Sequence, residues 1–192
     1  FDGVVVHHRG SNDSEIRFMA SQVVNRLPTD KLSLLDNENE LDDSNSAQRF
    51  YGIHASLPNL SSRFSTELYF YALREKDTAE VNTRNRQLNT AGFRLRSAPS
   101  ANAYDFEVET VVQTGERRSS TSPSNTTDLD NRAFFQYLML GYSFDIPSRL
   151  RVMLEFDYAS GDSDPLDRNN ERFDSLFGPT TFEFGVVGLY NP

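Results

Sequence analysis

The sequence predicts an all-β fold, an antiparallel transmembrane β-barrel wall of about nine strands, and three observations carry that prediction. Apolar residues recur at every second position over runs of about 9 to 11 residues, enough to cross a bilayer at a tilt. The segments joining these runs alternate between short and long. The apolar content is concentrated in rings: there are 15 Phe and 8 Tyr, although hydrophobic residues make up only 37 % of the chain.

The alternation is cleanest in the run 103–114. Tyr104, Phe106, Val108, Thr110 and Val112 share one side, and Asp105, Glu107, Glu109, Val111 and Gln113 share the other, because successive side chains of a strand point to opposite faces. The run 150–159 repeats the pattern, with Leu150, Val152, Leu154, Phe156 and Tyr158 opposed to Arg151, Met153, Glu155, Asp157 and Ala159. In the run 63–74, Phe64, Thr66, Leu68, Phe70 and Ala72 oppose Ser65, Glu67, Tyr69 and Tyr71. The runs 87–97 and 133–146 have similar lengths. All exceed the usual globular strand of about 5 to 6 residues.

Short turns rich in Gly, Pro, Asn or Ser are expected at 10–14, 58–62, 98–102 and 147–149, as tight hairpins require. Long polar loops are expected at 27–47, 76–86, 117–131 and 160–180, which makes 1–192 one partial barrel domain with its long loops outside the cell. Short periplasmic turns and long outer loops are the topology of outer-membrane barrels. Phe64, Tyr104 and Phe144 beside short turns, and Phe70, Phe135 and Tyr158 near long loops, are expected to form two interfacial girdles.

Composition removes several function classes. No apolar stretch exceeds six residues, far short of the roughly 18 that a membrane-spanning helix needs. The mean hydropathy of −0.58 is compatible with a barrel, whose strands average as hydrophilic. A net charge of −9 argues against nucleic acid as a partner. Absence of cysteine removes disulfides and thiolate metal sites. The chain opens on Phe1 without an initiator Met or a leader, as a processed or excerpted segment would.

If each short turn closes a hairpin, inward residues meet across it. Arg94 is then expected opposite Glu107, Arg96 opposite Asp105, Asp145 opposite Arg151, His54 opposite Glu67, and Arg9 opposite Glu15. Such pairs either hold register in a wet lumen or line a conduit and set its selectivity, as charged rings do in pores. The expected lumenal set is Arg17, Arg94, Arg96 and Arg151 with Asp105, Glu107, Glu109, Glu155 and Asp157. Asp162, Asp164 and Asp167 are hard-oxygen candidates for calcium, although their spacing is not that of an EF-hand loop. No metal site is expected beyond them and no cofactor at all. Glu107 and Glu109 are two residues apart and His7, His8 and His54 lack a nucleophile pattern, so no catalytic residues and no enzyme are expected.

The stretch Phe156-Asp157-Tyr158-Ala159-Ser160-Gly161-Asp162, followed by Asn170-Glu171-Arg172-Phe173 and Leu176-Phe177-Gly178, then by Phe182-Glu183-Phe184-Gly185 and Gly188-Leu189-Tyr190, resembles the alginate-export family of outer-membrane porins. Tyr158, Ser160, Gly161, Asp162, Arg172, Phe173, Phe177 and Gly185 carry the motif. The resemblance implies a monomeric barrel of about eighteen strands, of which this chain would supply half. It also implies passive export of an anionic polysaccharide, or passage of another polar solute, across the bacterial outer membrane, with the bilayer and lipopolysaccharide as surroundings. Alginate passage wants a strongly positive constriction, and the inward residues here mix both signs. A nutrient-uptake porin and a soluble extracellular carbohydrate-binding β-sandwich are the alternatives. The sandwich predicts that Phe106, Val108 and Val112 pack against a second sheet.

Overall fold

Period-two alternation becomes a single antiparallel sheet in the structure, a computed structural model that describes residues 1–177 apart from 26, 29, 59 and 80. Eight strands follow chain order, each paired with the next: β1 (Asp2–Arg9), β2 (Glu15–Asn25), β3 (Asp43–Leu57), β4 (Ser65–Glu75), β5 (Gln87–Arg96), β6 (Ala103–Arg118), β7 (Asp128–Ser143) and β8 (Arg151–Ala159). A ninth, β9 (Asn169–Asn170), pairs in parallel with β7 at Asp130 and Asn131. Among the described residues β1 and β8 are the open edges. In lipid such edges must pair with further strands, because unpaired backbone groups there cost several kcal/mol each.

The turns follow their local chemistry. At the first hairpin, Ser11–Asp13 forms a 3-10 turn in which Asn12 and Asp13 take positive φ, and the Gly10 amide donates to the Ser14 carbonyl at 2.8 Å. Between β2 and β3 a short helix, α1 (Lys31–Leu35), is capped by Asp30, whose carboxylate accepts from the Ser33 amide at 3.0 Å.

Two strands outrun their sequence pattern. β6 continues to Arg118 and β7 begins at Asp128, so the connection expected at 117–131 shrinks to 119–127. Above the apolar band, side chains are polar on both faces and alternation stops. The backbone ladder does not stop, and Arg118 still faces Asp128 in register, with 3.6 Å between guanidinium and carboxylate.

Burial is inverted relative to a soluble sheet. Asp105 and Glu107 on the concave face are 1 % and 8 % exposed, while Leu154 and Val152 on the convex face are 75 % and 57 % exposed. Among the described residues no second sheet covers Phe106, Val108 or Val112, so the packing a sandwich demands is not there. A convex surface this apolar is compatible with the lipid-facing side of a transmembrane barrel. One polar side chain on that surface is satisfied locally: Gln136 accepts from the Thr110 hydroxyl at 2.8 Å and donates to the carbonyls of Glu109 and Tyr137.

Rings collect at both ends of the convex face. Tyr104, Tyr142 and Phe144 form a chain with centroids 4.8 Å apart at the short-turn end, and Phe134 stacks on Tyr158 at 5.2 Å at the other. Phe134, not the expected Phe135, belongs to the second girdle. The two are adjacent and must face opposite ways, and Phe135 turns inward, where it is 8 % exposed against Phe173. Val108→Arg, in the middle of the convex β6 face, is expected to destabilise the full-length protein in liposomes by about 2–4 kcal/mol. A change within error in its unfolding free energy would mean that this face does not meet lipid.

Candidate lumenal site

Every residue of the expected lumenal set projects from the concave face, since register partners share a face and each of the nine belongs to the parity of Glu107. The registers are offset from expectation. Arg94 faces Glu109 and Arg96 faces Glu107, two residues away from the expected pairs. His54 faces Tyr69, and Arg151 faces Ser143 in place of Asp145. The hairpins are longer than their turn residues suggest: Ser97 still hydrogen-bonds Phe106, and the Phe144 amide still reaches the Leu150 carbonyl at 2.9 Å. An offset of two preserves facing, so these residues stay on one face of the sheet.

The ion pairs run diagonally. Arg94 reaches Glu107, Arg151 crosses β7 to Asp105, and the His54 imidazole lies 3.5 Å from Glu67. Arg9 does face Glu15, at 3.6 Å, and Glu15 also takes His7 and Arg17. Gly141 makes the Arg151–Asp105 pair possible, because a Cβ there would sit 2.7 Å from the guanidinium and 2.8 Å from the carboxylate.

The concave face encloses a cleft of about 590 Å³ whose walls include Glu67, Arg94, Glu109, Tyr137, Glu155 and Asp157. Carboxylates outnumber cations around it. Part of its wall comes from a later segment of the chain itself. After β8 the segment 171–177 turns back over the sheet, and Phe173 enters a pocket formed by Val111, Ala133 and Phe135. The next residue, Asp174, bridges two arginines, with Arg86 at 2.8 Å and Arg117 at 3.3 Å. Gln113 clamps the Asp174 backbone at both ends, donating to its carbonyl at 3.0 Å and accepting from its amide at 3.1 Å. Glu75 holds the second edge of Arg86 at 2.7 Å.

Residues 34–191 match the alginate-export family. The chain belongs to the alginate-export family. No curated protein and no solved structure matches the chain. In this alginate-export chain the C-terminal motif has a structural role as far as the described residues reach. Ser160 staples the inward turn: its hydroxyl accepts from the Phe134 amide at 2.9 Å and donates to the Glu171 carbonyl at 2.6 Å, and its carbonyl accepts from the Phe173 amide at 2.9 Å. Phe177 packs edge-on against Phe1 and Phe50, at 4.8 and 5.4 Å. Tyr158 lies in the convex girdle, while Gly161 and Asp162 begin the connection and Arg172 is exposed next to the buried Phe173. Gly178, Gly185 and the aromatic-glycine steps after them lie outside the described residues.

Asp162, Asp164 and Asp167 do not converge, and among the described residues no group of three such side chains could hold a metal ion. Asp164 and Asp167 instead accept from the amides of Leu166 and Asn169 at 3.1 and 2.7 Å, closing turns of their own loop.

Asp174 and Gln113 are the members of the site that sequence patterning did not single out. Their one visible signal is that Arg86 and Arg117 are cations at the long-loop end of β5 and β6, in want of an anion. Nearby, Asp77 accepts from the Thr83 amide and from Arg118, both at 2.8 Å. The Thr83 amide and the Arg118 guanidinium together hold its carboxyl below the ordinary 3.8. A depressed folded value means that the loop stabilisation is present above pH 3.8 and lost as pH falls through the lower folded value. The Thr83 amide resonance is expected to titrate with a midpoint below 3.8, and a midpoint at or above 3.8 would remove Asp77 as its acceptor.

Proposed function

We propose that this sheet is part of the wall of a bacterial outer-membrane channel that passes a polar, hydroxyl-rich solute by passive diffusion, with no chemistry performed on it. The reading is carried by one observation: ionisable residues line the concave face of a sheet whose convex face is apolar and girdled by rings. The family description, alginate export, favours a polysaccharide as the solute. The bilayer and lipopolysaccharide then surround the convex face, the barrel acts as a monomer, and the long connections lie outside the cell.

Selectivity in this reading comes from the inward arginines and carboxylates. Replacing Arg94 and Arg96 together with Ala removes two cations from the concave face. In the full-length protein reconstituted in planar bilayers under a salt gradient, the reversal potential is expected to move toward cation selectivity. An unchanged reversal potential would place both arginines away from the conducting path.

A further inference from the structure

Four rings follow one another along the concave face of β3 and β4: Phe50, Tyr71, Tyr69 and His54. Successive centroids are 5.5, 5.4 and 6.3 Å apart, and each pair of neighbouring planes lies at 21°, 30° and 14° in turn. From Phe50 to Tyr69 the row descends toward the short-turn end, His54 stands beside Tyr69 on the neighbouring strand, and Phe177 extends the row above Phe50.

Two glycines seat the central rings. Gly52 is the register partner of Tyr71 and Gly92 that of Tyr69. A Cβ on Gly52 would come within 2.6 Å of the Tyr71 ring, and one on Gly92 would fall on the Tyr69 ring. Each tyrosine therefore fills the space its cross-strand neighbour leaves empty and rests against bare backbone, with the cleft on its other side. The Tyr69 hydroxyl donates to Glu109, which fixes that ring in place. Glu107, Glu155 and Asp157 line the same cleft, and Arg94, the one arginine among its described walls, is paired with Glu107.

We propose that this ladder is a binding track for an uncharged sugar chain, and that it selects against a polyuronate. The inference rests on the channel reading above. Flat rings at sugar-sized intervals present apolar faces to the C–H faces of pyranose rings, and a few polar groups around them fix orientation. Carboxylates accept strong hydrogen bonds from sugar hydroxyls. A uronic-acid chain would instead bring one carboxylate per sugar against a wall with an excess of carboxylates, and like charges at close range in a restricted dielectric repel.

The test is block of ion current through the full-length protein in planar bilayers by two probes of equal length, a neutral glucohexaose and a hexauronate. The neutral probe is expected to block at concentrations at least about tenfold lower than the charged one. Tyr71→Ala and Tyr69→Ala should each weaken that block about tenfold, whereas Tyr71→Phe, which keeps the ring, should retain it. Equal or stronger block by the hexauronate would overturn the proposal, as would neutral block indifferent to both alanine variants. A protein that conducts but is blocked by neither probe loses the track and keeps the channel. One that inserts and does not conduct loses both.

Discussion

Asp174→Ala is expected to lower the unfolding free energy of the full-length protein by about 3–5 kcal/mol and to raise its single-channel conductance. Asp174 is the shared anion for Arg86 and Arg117, whose side chains are only 18 % and 6 % exposed. Removing it leaves two guanidinium groups desolvated and short of partners, which costs far more than an exposed ion pair is worth. The same change frees the segment 171–177 at its centre, between Phe173 in its pocket and Phe177 on Phe50. Urea unfolding in detergent reads the first effect and bilayer recording the second. A normal loss of stability with unaltered conductance would mean that the segment braces the wall without narrowing the path. Asp174→Asn, which keeps an acceptor, is expected to fall between the two proteins.

Gly115→Ala is expected to cost more than about 3 kcal/mol, or to prevent insertion altogether. Gly115 has φ of 144°, a conformation that residues with a Cβ rarely adopt. A Cβ there would also land on the main-chain carbonyl oxygen of Gln87 across the β5–β6 ladder. That oxygen belongs to the backbone and cannot swing aside, so strain and overlap add. Gly161→Ala is the contrasting variant. No atom lies within 4 Å of its Cβ position, and a change within about 0.5 kcal/mol is expected. Heat-modifiable mobility of the folded barrel on a gel compares the two. Equal behaviour would show that the Gly115 backbone can relax.

Period-two patterning was sufficient for strand existence, strand order and facing. Facing depends only on parity, and each cross-strand pair that differs from expectation is displaced by two residues. Arg94 therefore stays on the concave face whether it stands opposite Glu107 or Glu109. The bounds of β6 and β7 were less legible, because a ladder carried by backbone hydrogen bonds continues through residues that are polar on both faces. Phe135 was misplaced because adjacent rings look alike in a sequence while the pleat sends one to each side.

The amino-acid sequence by itself thus determined an antiparallel wall with one greasy and one charged face, since both properties are local and repeat along the chain. Only the tertiary structure decided which charges meet. Arg151 finds Asp105 from two strands away, and Arg86 finds Asp174 across 88 residues. The ring ladder likewise needs β3 beside β4 and β5, with Gly52 and Gly92 at the right heights. Those meetings depend on loop length, shear and the return of one segment over the sheet. They are long-range geometric quantities that no local pattern encodes.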